Sequence, residues 1–245
     1  MSEAAIRVEK VSKAFNGRTV LDNVSFEVKA GEAFCLLGKS GTGKSVTLKI
    51  IIGLIQPDAG NVFIEEDEIP HLDRENLMRA RKKIGFLFQN AALFDSISLA
   101  ENLAFPLRRR GDKDEAKIKE TVRSKLADVG MENDGDKMPA DLSGGMRKRA
   151  GLARALVMDP SILLVDEPSS GLDHITAQEI YELLAKQKEQ KKTLVIVTHD
   201  AAGVRPFADR MCMLDQGHIA ACGTPEELSK SEDKLVAALA GGSIT

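Results

Sequence analysis

A glycine-rich stretch with a lysine and a serine is the part of the sequence that could bind phosphate. Gly38 is followed by four residues and then by Gly43, Lys44 and Ser45, directly after the run AFCLL and before a helical pattern. This is the P-loop spacing, in which loop N–H groups and a helix N-terminus face an anion, although a plain glycine turn is the alternative. Lys44 would reach the β- and γ-phosphates and Ser45 would bind Mg²⁺. The predicted phosphate-binding residues are Gly38, Lys39, Ser40, Gly41, Thr42, Gly43, Lys44 and Ser45.

Acidic and imidazole side chains follow other aliphatic runs. Asp166 and Glu167 come after ILLV, and the carboxyl end of a strand is where open α/β sheets bind ligands. Asp166 is predicted to hold Mg²⁺ through water, and Glu167 to polarise the water that attacks the γ-phosphate, with a helix cap as the alternative. His199 follows TLVIVT and could contact the γ-phosphate, but such a histidine is also typical of a hydrogen-bonded boundary residue. Gln89 ends the run IGFLFQ and carries a weaker signal of the same kind.

Short aliphatic runs alternate with helical patterns along most of the chain. VSFEV, AFCLL, IGFLF, ILLV, TLVIVT and MCML are typical of strands, and residues 42–53 are typical of a helix. This alternation favours an α/β fold with a largely parallel sheet. The early runs RVEKVSKAF and VSFEVKAGE predict a small antiparallel lobe. We therefore expect a P-loop NTPase (RecA-like) core with an N-terminal antiparallel β lobe and an inserted helical lobe.

The strand signals fade over about 90–155, which we interpret as the helical lobe. Asp112 and Glu115 resemble a capping box, and Gly130 suits the end of the helix that follows. The tail over about 224–245 has a second capping box at Thr224 and Glu227, with Pro225 at the first helical position. KLVAALA, at 234–240, would add a last short helix. The whole chain, 1–245, is expected to form one domain.

Composition narrows the class of partner. The 34 Lys and Arg against 37 Asp and Glu give a net charge of -3, which argues against nucleic acid as the main partner. Cys35, Cys212 and Cys222 are far apart in sequence, so we expect buried thiols in a reducing compartment and neither a disulfide nor a zinc site. The apolar runs fall short of the roughly 20 residues that span a bilayer. These features indicate a soluble intracellular chain.

The order of these motifs resembles the ATP-binding cassette of ABC transporters over residues 6–228. The resemblance implies ATP and Mg²⁺ as cofactors, and an aromatic contact between Phe15 and adenine, for which a core phenylalanine is the alternative. It also implies that Gln89 senses Mg²⁺ and the γ-phosphate. The corresponding motifs are Walker A at 38–45, the Q-loop at Gln89, the signature at 142–146, the Walker B end at Asp166 and Glu167, the D-loop at Leu172 and Asp173, and the H-loop at His199.

The signature stretch LSGGMRKR has two glycines at the mouth of a helix, and each costs roughly 0.5 to 1 kcal/mol relative to alanine. Ser143 can cap that helix, and Gly144 and Gly145 allow an anion to approach its positive end. The resemblance implies that this anion is the γ-phosphate of ATP on a second copy of the chain, in a head-to-tail ATP-sandwich dimer. An ordinary glycine-containing cap is the alternative.

Met146 replaces the glutamine that most cassettes have after these glycines, and His174 replaces a common proline. LSGGMRKR, QNAALFDSISLAENLAFPLR and GLDHIT resemble the branch that drives phospholipid transport with Mce-domain proteins, the Mla type. That resemblance implies an integral membrane permease and an Mce-domain lipid-binding protein as partners, and a peripheral location on the cytoplasmic face of the inner membrane. We expect the segment 89–107 to dock onto the permease.

Three alternatives remain at this point. The first is an importer for another substrate, such as an amino acid or a metal. The second is a soluble cassette in DNA repair or translation, which usually carries long coiled-coil inserts or two cassettes in one chain. The third is another P-loop enzyme, such as a GTPase or a small-molecule kinase, against which the signature and the lack of an Asn-Lys-x-Asp motif argue.

Overall fold

The computed structural model describes residues 4–231 and Val236, which form two sheets and the helices around them. The first sheet contains β1 (Ala4–Phe15), β2 (Arg18–Lys29), β4 (Ala59–Ile64) and β5 (Asp67–Glu68), in the order β2-β1-β4-β5. All its pairings are antiparallel. Asn16 and Gly17 connect β1 to β2 with φ angles of 49° and 79°, as a tight hairpin turn requires. The expected N-terminal antiparallel lobe is confirmed.

The second sheet is the core of the molecule. Its strands are β3 (Ala33–Leu37), β6 (Ile84–Leu87), β7 (Ile162–Asp166), β8 (Thr193–Thr198), β9 (Arg210–Asp215) and β10 (His218–Gly223), in the order β10-β9-β3-β8-β7-β6. Every pairing is parallel except that of β10 with β9. Each residue of β3, β7 and β8 is buried, as expected for strands covered on both faces. The predicted α/β fold is therefore confirmed.

Eight α-helices and two short 3₁₀ helices lie around the sheets within the described residues. Ile118, Val122 and Leu126 are buried on one helix and join a single apolar cluster with core-sheet residues such as Leu163. The helices between β6 and β7 thus share one apolar cluster with the core, in which α5 packs on β6 while α3 and α4 pack on α5. The division into one domain with a lobe at about 90–155 stays a prediction. The helices are α1 (Lys44–Ile51), α2 (Arg74–Arg81), α3 (Leu99–Arg110), α4 (Glu115–Asp128), α5 (Gly144–Leu156), α6 (His174–Glu189), α7 (Ala201–Val204) and α8 (Pro225–Ser229).

The start of α4 differs from the sequence prediction. Asp114 caps the helix by accepting from the backbone N–H groups of Ala116 and Lys117, whereas Asp112 forms an ion pair with Arg110. The predicted box at Asp112 and Glu115 is therefore wrong, because Asp114 stands directly before the first helical turn.

The tail prediction is confirmed as far as the described residues reach. Thr224 and Glu227 form the predicted capping box, with Pro225 in the first turn of α8. The last short helix predicted over 234–240 lies outside the described residues, apart from Val236.

The prediction for the cysteines is also wrong in part. Cys212 on β9 and Cys222 on β10 are register partners with Cα atoms 4.1 Å apart, and a disulfide joins them. The antiparallel hairpin brings together two residues that are 10 positions apart in sequence. Cys35 is a free and buried thiol, and burial raises the pKa of that thiol well above its usual range.

Asn102 is a fully buried amide on α3 that holds the loop before this helix. Its Oδ1 accepts from the Phe94 N–H at 2.8 Å. Its Nδ2 lies 3.0 to 3.1 Å from the backbone carbonyls of Phe94, Ile97 and Ser98. One side chain therefore pairs with four backbone groups of this loop, of which the Ser98 carbonyl also accepts from the Asn102 N–H.

We expect Asn102→Ala to lower the free energy of unfolding by about 1 to 3 kcal/mol, because the backbone groups of this loop lose their partner. Urea unfolding followed by circular dichroism measures the change. Asn133→Ala, an exposed asparagine in the same region, is the control and should have little effect. Equal stability of the two variants would contradict the role assigned to the buried amide.

Candidate active site

The loop between β3 and α1 forms a tight cradle. Gly41 and Gly43 have φ angles of 81° and 104°, in the left-handed region that glycine tolerates best. A Cβ atom at Gly38 would lie 2.8 Å from Thr42 Oγ1, and one at Gly43 would lie 2.6 Å from a methyl of Leu21. Gly43 is also the N-cap of α1, so no cap side chain occupies the first N–H groups of this helix. The loop thus has the shape and the donors of an anion site.

Lys44 and Ser45 begin α1 and connect the loop to β7. The Lys44 side chain is buried, and its Nζ donates to the carbonyls of Gly38 at 2.7 Å and Lys39 at 2.9 Å. Ser45 Oγ donates to Asp166 Oδ1 at 2.7 Å. Burial raises the pKa of Asp166, and the bond from Ser45 opposes that shift. A hydroxyl and a carboxylate therefore meet beside the cradle.

Glu167 lies directly after β7 in a conformation that is rare for a residue with a side chain. Its φ is 46°, and its N–H donates to the Val197 carbonyl of β8 at 2.9 Å. Such a conformation costs of order 1 to 3 kcal/mol and is found where the surrounding structure imposes it. Glu167 Oε1 lies 3.1 Å from Lys44 Nζ, and Oε2 lies 2.8 Å from His199 Nδ1. The carboxylate is thus held beside the cradle by Lys44 at the start of α1 and by His199 just after β8.

A cavity of about 650 Å³ lies over the loop. Gln89 enters it from the end of β6, and its Nε2 donates to Ser170 Oγ at 3.2 Å. Asp166 does not line the cavity itself, but it accepts a hydrogen bond from Ser45, which does. The structure brings together these predicted residues in the lining: Gly38, Lys39, Ser40, Gly41, Gly43, Lys44, Ser45, Gln89, Glu167 and His199.

Other predicted residues lie apart from this cavity lining. Phe15 is 43% exposed at the end of β1, with Lys13 Nζ 5.4 Å from the ring centroid. Thr42 turns inward and donates to the Lys39 carbonyl at 3.0 Å. Asp173 caps α6 by accepting from the N–H and the hydroxyl of Thr176. A nucleotide role for these side chains stays a prediction.

The signature residues lie at the N-terminus of α5. Ser143 is the N-cap, and its Oγ accepts from the Met146 N–H at 3.2 Å. Gly144 lines a second cavity of about 300 Å³ that Gln89 and Ser170 also line. Gly145 is buried against Thr176. The predicted cap is present, and the open end of α5 lies outside the lining of the first cavity.

Several residues of the site were not predicted from the sequence. Val20 of β2 lines the first cavity, although nothing in the β lobe signals a contact with the P-loop. Ser170 partners Gln89 and belongs to the run DEPSSGLD, whose second serine could have been noticed. Lys148 donates from α5 to the backbone carbonyl of Glu167 at 2.7 Å. Tertiary packing alone brings Val20 and Lys148 to the site.

The donor set fits a magnesium nucleotide. The ammonium of Lys44 and the N–H groups of the glycine cradle suit phosphate oxygens. The Ser45 hydroxyl and the Asp166 carboxylate suit Mg²⁺, which is usually bound by few protein oxygens together with substrate phosphates. Fold and site together define a P-loop nucleoside-triphosphate hydrolase.

Comparisons with known proteins identify the family. The sequence model described as ABC transporter matches residues 21–170, so the chain belongs to the ABC transporter family and is an ATP-hydrolysing subunit of it. The fold is similar to a dimeric cassette, MJ0796, solved in a post-hydrolysis state with ADP and Pi. The TM-score is 0.83 at 33% identity, and the match covers 89% of this chain and 98% of that one.

Relatives extend this match along nearly the whole chain. The probable ribonucleotide transport ATP-binding protein mkl of Mycobacterium leprae is 43% identical over 95% of this chain and 67% of its own length. The match covers 65% of the length of the Mycobacterium tuberculosis mkl protein. The chain therefore spans about two thirds, or slightly less, of the length of the mkl proteins. The intermembrane phospholipid transport system ATP-binding protein MlaF of Haemophilus influenzae is 36% identical over 96% of this chain and 90% of its own length.

We expect Glu167→Gln to bind ATP but lose most turnover, because the amide cannot accept a proton from water. Phosphate release measures turnover, and a fluorescent ATP analogue measures binding. Lys44→Ala is the matched variant and should weaken binding itself, because it removes the cation of the cradle. Unchanged turnover in Glu167→Gln would contradict the role of this carboxylate.

Proposed function

We propose that this chain is the ATPase subunit of an ABC complex that drives phospholipid transport, bound peripherally at the cytoplasmic face of the inner membrane. The observation that carries the lipid assignment is the match to MlaF over 96% of this chain and 90% of that protein. The Mla-type stretches at 89–107 and 142–149 support it from the sequence. Methionine import is the second candidate substrate class, because MetN of Caulobacter vibrioides is 38% identical over 91% of this chain.

In the proposed reaction Glu167 orients the attacking water and accepts its proton. His199, 2.8 Å from Oε2, holds the carboxylate toward the γ-phosphate. Lys44 contacts the β- and γ-phosphates and forms an ion pair with Glu167 when it is not so engaged, at 3.1 Å in this structure. Positioning and electrostatic stabilisation thus supply the catalysis.

We assign the magnesium site to Ser45, Asp166 and Gln89. The bond from Ser45 Oγ to Asp166 Oδ1 joins two of these groups, and Gln89 lines the same cavity. Mg²⁺ would supply charge neutralisation at the β- and γ-phosphates. Phe15 is assigned to the adenine ring because its side chain is 43% exposed at the end of β1.

We propose that two copies form the active unit. The N-terminus of α5, with Ser143, Gly144 and Gly145, is suited to an anion but lies apart from the lining of the chain's own cradle. A second copy supplies the missing γ-phosphate in a head-to-tail arrangement, in which Asp173 lies near the shared boundary. Two MJ0796 structures with TM-scores of 0.83 and 0.84 are dimeric.

The segment 89–107 is proposed to dock onto an integral membrane permease that works with an Mce-domain lipid-binding protein. Phe94 and Phe105 are 42% and 46% exposed, and their rings meet edge to face at 5.2 Å. Arg154 lies over Phe94, 4.9 Å from its ring centroid. By contrast Leu99 is fully buried and Leu93 is partly buried against the core, so these two residues belong to the interior rather than to an exposed surface. The docking surface therefore centres on the two phenylalanines.

No helix among the described residues is long and apolar enough to cross a membrane. In the proposed complex the permease provides the passage for lipid across the membrane, and this chain provides the energy from ATP.

A mixture of Lys44→Ala and Ser143→Glu copies tests the composite site. Each variant alone should be inactive, but a mixed dimer contains one site with an intact P-loop and an intact signature. We expect the mixture to regain turnover that neither variant shows alone, measured by phosphate release. Full activity of a strictly monomeric chain, followed by light scattering during turnover, would contradict the two-copy proposal.

Phe94→Glu tests the docking surface and the lipid. We expect the variant to bind ATP normally yet to abolish ATP-driven phospholipid transfer between the reconstituted complex and vesicles, because a buried charge disrupts an apolar interface. Transfer is measured with fluorescent phospholipids. Ser124→Glu, which adds a charge at an exposed position of α4, is the control and should transfer lipid normally. A wild-type complex that moves methionine and no lipid would overturn the lipid assignment and leave the ATPase intact.

A further inference from the structure

Lys148 is a lysine in the interior of the protein. It lies on α5, five residues after the cap Ser143, and only 5% of its surface is exposed. Lysine is rarely buried to this extent unless a specific partner holds the ammonium. The hydrolysis mechanism described above makes no use of this side chain, so its burial calls for an explanation.

The partner of Lys148 is the backbone of Glu167. Lys148 Nζ donates to the Glu167 carbonyl oxygen at 2.7 Å. Burial lowers the pKa of this amino group to about 8, and the attraction of Asp166 and Glu167 opposes that shift. Glu167 has a φ angle of 46°, and its N–H donates to the Val197 carbonyl of β8. The Glu167 N–H is therefore held by the sheet, and its carbonyl is held by Lys148 of α5 together with the N–H of Ser170 at 3.2 Å.

We propose that Lys148 is a positioning residue for ATP hydrolysis. It fixes the Glu167 carbonyl, so that the orientation of the Glu167 carboxylate depends on the position of α5. The inference rests on the proposed role of Glu167 in activating water. Lys148 does not line the cavity over the P-loop, although it lines the second cavity beside Gly144. Its proposed role is exerted through the backbone of Glu167, whose carbonyl it contacts.

The location of Lys148 on α5 gives this bond a second consequence. Ser143, at the N-terminus of the same helix, is assigned to the phosphate on the other copy. Five residues of α-helix span about 7.5 Å and behave as one rigid element over that distance. The bond from Lys148 therefore links the position of this helix, with Ser143 at its N-terminus, to the backbone of Glu167 in the same chain.

The test uses the full chain with Lys148→Met, which keeps much of the length of the apolar stem but removes the ammonium. We expect kcat for ATP to fall by about tenfold or more, while KM and ATP binding stay within about twofold, because only the aim of Glu167 changes. Lys148→Arg keeps a cationic donor and should retain at least about a third of the turnover. If the methionine variant does not fold, the arginine variant provides the test. Turnover of Lys148→Arg as low as that of Glu167→Gln would then overturn the proposal.

Lys192→Met is the matched control. Lys192 Nζ also donates to a backbone carbonyl, that of Pro160 at 2.9 Å, but at the opposite end of the core sheet. Its loss removes a comparable bond without touching the site, so kcat should stay within about twofold of the native value. A loss of kcat in this control as large as in Lys148→Met would overturn the proposal in favour of a general structural effect.

Combining Lys148→Met with Glu167→Gln shows whether the lysine acts through the glutamate. We expect the double variant to be no slower than Glu167→Gln alone. The amide at position 167 cannot accept a proton from water, so its orientation has no effect on the rate. Native turnover in Lys148→Met, with loss in Glu167→Gln, would overturn this inference and leave the proposed function intact. Native turnover in Glu167→Gln would instead overturn the role of Glu167 itself.

Discussion

The parallel pairing of β3, β8, β7 and β6 is the constraint on which the site depends. These strands are hydrogen-bonded in register, so their carboxyl ends lie along one edge of the sheet. Because three of them are buried over their whole length, polar groups are displaced to that edge. The P-loop, Gln89, the acid pair and His199 each follow one of these strands. Residues from four separate parts of the chain therefore converge on one cavity.

The helix α5 connects this edge to the rest of the molecule. Its apolar residues Ala150, Leu152 and Ala153 are buried in the same cluster as the core sheet. Ser143 caps its N-terminus, and its interior lysine reaches the backbone of Glu167 after β7. The packing that covers the sheet thus also sets where Ser143 and the Glu167 carboxylate stand relative to each other. The cost of the left-handed conformation at Glu167 is offset by the bonds that anchor both of its peptide groups.

Several differences between expectation and structure have the same physical origin. The sequence around α4 contains two aspartates before the helix, and only the geometry of the first turn selects Asp114 over Asp112. Cys212 and Cys222 appear unrelated along the chain, but the pairing of β9 with β10 makes them neighbours. Leu99 and Phe94 are both apolar, yet one is buried and the other is exposed. The local sequence gives the chemical type of each residue, but the residues packed around it determine whether it caps a helix, forms a disulfide or is buried.

The sequence by itself determined the fold class, the strand-loop-helix phosphate cradle and the identity of the acid pair, because these depend on local spacing and on the alternation of apolar residues. It also identified the glycines of the cradle, two of which, Gly41 and Gly43, have the positive φ angles that glycine tolerates best. Only the tertiary structure decided that Val20 lines the cavity, that Ser170 partners Gln89 and that Lys148 holds Glu167. These contacts join residues 81 and 19 positions apart in the last two cases. No local pattern encodes them, since they arise from how helices pack on a sheet that is buried on both faces.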